Sequence, residues 1–220
     1  MKNNQSVDLD DTQNQGERTS RNKKNRTRFS ITESLVGQCL VYIGTGDSEL
    51  YKKSVIYVTE CTADIVRGIM INKLLFGSAT IECRGKEGDT EQENVFRQVY
   101  EDLYHGGPEN PAHGYVIFPK KEATSEDPFA EIHGDIAVST SFGVLQEILD
   151  GEGPSKKIIA MGHCLWHRGE LEWEIFNNQW LIVPADERMM FDTALDYRWQ
   201  KACEMSGLEL KTMIPQIGLA

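Results

Sequence analysis

The segment His105-Gly106-Gly107-Pro108 is the most chemically suggestive stretch of this sequence. Two adjacent glycines leave backbone N–H groups uncovered, and such groups can cradle an anion or a nucleotide phosphate. The spacing matches neither a P-loop nor a G-x-G-x-x-G fingerprint. The same residues therefore also read as a tight strand-exit turn that only glycine adopts. Asn72-Lys73 closes an apolar run. A lysine there can reach a phosphate or carboxylate as a point charge on a flexible stem. In the alternative reading, the asparagine satisfies loop backbone and the lysine is solvated.

Two further constellations carry titratable groups. In His163-Cys164-Leu165-Trp166-His167, a histidine pair at i, i+4 needs a helix to face one ion. This segment follows Gly162 at an expected strand end, with no third ligand at a metal-site spacing and no H-E-x-x-H. In His133-Gly134-Asp135, residues two apart on a strand would share a face, but no G-x-S-x-G elbow supplies a nucleophile. Packing is the preferred reading of both, and no catalytic or metal-ligating residue is assigned. The tryptophans at 166, 173, 180 and 199 are read as core and interface, where aromatic side chains bury large areas. Asn72, Lys73, His105, Gly106, Gly107, Pro108 and Trp166 form the candidate binding set, which a concave pocket would have to bring together.

The elements that must position these residues follow from apolar patterning. Strands are predicted at 38–43, 54–59, 66–72, 100–105, 113–118, 132–139, 157–161 and 180–183, with Gly68 marking a bulge or a close backbone approach. Ser48 to Lys53 reads as one helical turn, and residues 77–94 as a long exposed loop. Helices are predicted after the N-cap Ser141 until Gly151, over 169–178, and over 195–206 with Gly207 beyond its end. Strands and helices mix without βαβ alternation, which favours an α+β fold with a mixed sheet.

Composition narrows the function classes. Residues 1–30 hold seven basic and four acidic side chains, so the remainder of a chain of net charge −11 carries −14. Such a body repels a phosphate backbone, which argues against nucleic acid as its partner. The basic stretch Arg18 to Arg28 reads as a solvated tail, with a weak contact to RNA, DNA or an acidic partner as the alternative. Residues 1–33 are too polar to offset chain entropy and are expected to be disordered, leaving 34–220 as one domain. No apolar run approaches the roughly 18 residues of a membrane span. Five widely spaced cysteines without a C-x-x-C pair suit free thiols in a reducing compartment, so the cytoplasm is the expected location.

Three blocks carry a family resemblance: Ser54 to Lys73, His105 to Phe118, and Ser141 to Asp186. Their order and motifs resemble the AlgH/YqgE family over residues 35–220. The third block is the most specific, similar to a G-x-x-x-W-x-x-G-Q-L-E-x-E-[IL]-x-x-N-x-W pattern. Leu74 stands where the family usually has proline, and Glu170 where glutamine is common. The resemblance implies a bifurcated sheet with a small barrel-like part flanked by helices. It implies no established enzyme activity and no cofactor, and it carries the label of a transcriptional regulator of alginate production. The preferred expectation is a non-enzymatic domain that binds a protein or a small anionic ligand. The alternatives are a nucleotide- or anion-binding enzyme using the His105–Pro108 loop, and a regulator acting through the basic tail.

Overall fold

A computed structural model describes residues 35–46, 48–83, 97–123, 127 and 130–207. The strands are β1 (Gln38–Tyr42), β2 (Val55–Cys61), β3 (Ile65–Met70), β4 (Leu74–Cys83), β5 (Arg97–His105), β6 (Glu109–Pro119), β7 (Glu131–His133), β8 (Ile136–Ser139), β9 (Ile158–His167) and β10 (Trp180–Pro184). The helices are α1 (Phe142–Asp150), α2 (Glu170–Phe176) and α3 (Leu195–Met205), with a π-helical turn at Arg188–Asp192. The strands run in the order β10-β1-β2-β3-β9-β6-β8-β7, and β4-β5 branches off through β9. This strongly curled, mostly antiparallel sheet forms a half-barrel with helices against it, an α+β fold.

The sheet's strands read as continuous apolar runs because both faces are covered. In β1, Cys39 and Val41 face one core with β2's Val55 and Tyr57, Met189 and Met190, and α3's Ala202 and Cys203. Leu40 and Tyr42 alternate to the opposite face, with Ile56, Val58, Trp166, Trp180 and Leu171 of α2. Val55 to Val58 are all fully buried, and each such side chain contributes about 2 kcal/mol. A third cluster packs α1, through Val144 and Ile148, on Val116, Phe118 and Ile159. Ser141 caps α1 by accepting the Gly143 N–H at 3.0 Å, and Gly151 closes it at φ +82°.

The branch in the sheet lies within β9. Its first half pairs with β6 antiparallel and with β5 in parallel, through Leu103↔Ile159 to His105↔Met161. Its second half pairs with β3, through Gly68↔Cys164 to Ile65↔His167. Gly162 sits at the changeover with φ +75°.

Several expectations change. β9 does not end at Met161 but runs to His167, because the strand changes partners at Gly162 instead of stopping there. Residues 77–83 are not loop: they belong to β4, paired with β5, while 84–96 lie outside the described residues. The run expected as one strand over 132–139 is the hairpin β7–β8, turned at Gly134-Asp135 with Gly134 at φ +64°. Ser48 to Lys53 makes turns with one helix-type bond, Lys52 N–H to Ser48 O at 2.9 Å. Gly68 is a close approach as expected: a Cβ there would sit 2.5 Å from Ile56 Cγ2. The tail at 1–33 lies outside the described residues. Among those described, no helix is long and apolar enough to cross a membrane.

Candidate functional site

Asn72 and Lys73 follow β3 and face the turn Ser48–Lys53. Asn72 binds backbone on both sides: Oδ1 accepts the Val55 N–H at 2.7 Å, and Nδ2 donates to Lys53 O at 2.8 Å. The asparagine thus welds the turn to the strand end. This positions Lys52, Lys53 and Lys73 around one cleft of about 400 Å³, whose opposite wall is α3 with Leu195, Asp196, Trp199 and Gln200. Lys73 Nζ donates to Glu49 O at 3.4 Å, and burial lowers its pKa, with Lys52 adding to the effect and Glu49 opposing it. Lys53 Nζ lies 5.4 Å from the centre of the Trp199 ring, whose own N–H donates to Tyr42 O at 2.8 Å. A fixed indole face and three ammonium groups can hold an anion, with flat apolar surface beside it.

The His105–Pro108 loop lies at the branch of the sheet. His105 N–H donates to Lys73 O at 2.8 Å, so the loop braces the candidate lysine through backbone alone. Gly106 N–H donates to Met161 O at 2.8 Å, and Gly106 O accepts from Met70 N–H at 2.7 Å. Gly106 and Gly107 are buried, and a Cβ on either would collide with the backbone of Gly162 or His163. The Gly106 amide is therefore already engaged, and the pair presents a turn only glycine fits. Pro108 is exposed. Trp166 lies elsewhere, in a second cleft with Tyr51 and α2. The structure brings Asn72 and Lys73 together, sets His105 to Pro108 beneath them, and leaves Trp166 apart.

Two of the thiols are not poised as nucleophiles. The Cys39 and Cys164 thiols are buried and pushed up to about 12 by desolvation, far from a thiolate. His163 and His167 lie on a strand, one buried and one exposed. Among the described residues no three His, Cys, Asp or Glu side chains could share a metal ion. His133 and Asp135 flank a turn and do not share a strand face.

His163 Nδ1 lies 3.0 Å from the Tyr115 hydroxyl. Burial, then the Arg67 guanidinium and His113, hold its pKa below the ordinary value, against the weaker opposing pull of Glu109 and Glu60. The unfolded chain therefore takes up this proton first. Stability is retained above the unfolded histidine pKa of about 6.5 and lost as pH falls from there through the lowered folded value. His163→Gln is expected to flatten the fall in urea midpoint between about pH 7 and about pH 5. An unchanged pH slope in the variant would contradict this assignment.

Lys52, Lys53 and Trp199 were not among the sequence candidates. The Lys52-Lys53 pair at the edge of an apolar strand was the available signal; Trp199 had none, since it reads as the apolar face of α3.

The family model described as AlgH-like matches residues 40–211. A UPF0301 protein of Pseudoalteromonas translucida is 30% identical over 188 residues, covering 86% of this chain and 100% of that protein. A UPF0301 protein of Xylella fastidiosa is 31% identical over 192 residues, covering 86% and 98%. The solution structure of the AlgH protein from Pseudomonas aeruginosa superposes with a TM-score of 0.59 at 26% identity, covering 84% of this chain and 95% of that one.

Proposed function

The chain belongs to the AlgH-like family, and on that premise we propose that it is a non-enzymatic cytoplasmic binding domain whose ligand is a small anion. The observation that carries the reading is the convergence of Lys52, Lys53 and Lys73 on one cleft in a chain of net charge −11. Glu49, paired with Lys52 at 3.5 Å, and Asp196 share the lining, so three lysines against two carboxylates leave one net positive charge on a strongly acidic protein, which a bound anion neutralises. Lys73 is the key member. Burial disfavours its charge, so it gains from a counterion. The buried thiols with their raised pKa values support a binding role over covalent chemistry. The free thiols of Cys39, Cys61, Cys164 and Cys203 suit a reducing compartment.

The test is a thermal-shift and calorimetric titration of the full chain with inorganic phosphate and with adenosine monophosphate. Both are expected to raise the melting temperature by mass action. Lys73→Met, which keeps the stem and removes the charge, is expected to weaken binding about tenfold by loss of a charge-assisted contact. The unliganded variant should melt no lower than the wild type. Equal phosphate stabilisation in both proteins, or none at saturating anion, overturns the proposal.

A further inference from the structure

The turn Ser48–Lys53 has a second side. Its Tyr51 lines another cleft, of about 640 Å³, together with Trp166, Arg168, Glu170, Trp173 and Glu174. The wall is built as a unit. Glu174 Oε2 accepts the indole N–H of Trp166 at 3.0 Å and that of Trp180 at 2.6 Å. Both donors are neutral, so they hold the carboxylate in place without cancelling its charge. No described lysine or arginine forms an ion pair with it. Glu170 is fixed as well, its Oε2 accepting the His167 N–H at 2.7 Å. Two oriented carboxylates and one guanidinium, that of Arg168, thus line the cleft. Trp173 stands 61% exposed at the rim, an unusual position for a side chain that normally buries most of its area. Burial, before any neighbouring charge, pushes the Tyr51 phenol up.

We propose that this cleft binds an organic cation, an alkylammonium or guanidinium group, stacked on the Trp173 indole and neutralising Glu174. Indole faces attract such cations through the ring quadrupole, and a fixed carboxylate supplies the counter-charge. The anion and cation clefts take different residues of one turn, so either stands without the other.

The probes are tetramethylammonium, agmatine and the peptide Gly-Arg-Gly, with tert-butanol as the neutral control. Binding is read from the indole N–H resonances of the full chain. The cations are expected to shift the Trp173 signal at least about tenfold more tightly than tert-butanol, and Trp173→Ala and Glu174→Gln each to weaken them about tenfold. Glutamine keeps a carbonyl acceptor for both indole donors, and Trp173 is at the surface, so both variants should retain wild-type melting. Tighter binding of Gly-Arg-Gly than of agmatine supports the site and assigns its cation to a protein side chain. The reverse order supports it and assigns a free small molecule. Equal responses to tert-butanol and tetramethylammonium overturn the proposal, as does unchanged cation affinity in Glu174→Gln.

Discussion

Gly107→Ala is expected to cost about 3 kcal/mol or more, the range of forced overpacking against unyielding backbone. Gly107 adopts φ +155°, and an added Cβ would collide with the carbonyl of His163 and the amide of Cys164. Neither is the movable end of a side chain; both are main chain in β9, which pairs with β6 at His163 and with β3 at Cys164. Relief would require prising β9 away just where the sheet branches. A domain of this size has about 5–15 kcal/mol in total, so the variant should unfold at markedly lower urea or accumulate as insoluble protein. Gly134→Ala is the matched control. Gly134 also has positive φ, but nothing lies within 4 Å of a Cβ there. It should lose only about 1 kcal/mol, the intrinsic penalty of the left-handed conformation. Equal urea midpoints for the two variants would refute the steric account.

Arg198→Met is expected to be the other large effect, and its reach extends to the anion cleft. Arg198 is a buried cation without a carboxylate partner among the described residues. Its Nη1 donates to Ile71 O at 2.6 Å and its Nε to Thr193 O at 3.1 Å, and its guanidinium lies 5.4 Å from the centre of the Tyr104 ring. Removing it relieves a desolvation cost but leaves the Ile71 carbonyl buried and unpaired. Two charge-assisted bonds are worth about 1.5–3 kcal/mol each before that relief is subtracted, so the net loss should be about 2–3 kcal/mol. Ile71 directly precedes Asn72 and Lys73, and α3 is the opposite wall of their cleft. The variant should therefore also bind phosphate about tenfold more weakly with all three lysines intact. Arg198→Lys should rescue little, because one ammonium cannot reproduce the two-sided fork. A wild-type urea midpoint in Arg198→Met would show that these bonds do not hold α3 in place.

Local signals in the sequence located most elements. The β-branched run at 54–59, the Ser141 cap with Gly151, and the helix ending at Gly207 depend on neighbours a few residues away. Gly162 was misread because a glycine after an apolar run resembles a terminator. Here it is the point where β9 exchanges β5 for β3, and both partners are distant in the chain. The stretch 77–83 failed for a related reason. Its polar and glycine-rich residues are poor strand formers alone, and β4 exists through pairing with β5. Gly134-Asp135 was turn chemistry hidden inside an apolar run. Of the candidate set, Asn72 and Lys73 were legible as a strand end. Their partners on α3 were not, since Arg198 and Ile71 meet from 127 residues apart. Trp166 was grouped with them by residue type alone, and sequence cannot tell which side of a turn an indole occupies.

β9 pairs with β3, β5 and β6. It is the keystone of both branches, and it comes late in the chain. A ribosome that has released everything through α1 has delivered strands whose central partner is still unmade. Limited cleavage between α1 and β9 should likewise yield two fragments that are inert singly and regain structure only when mixed. Because β9 joins both branches, the half-barrel is expected to unfold in one cooperative step.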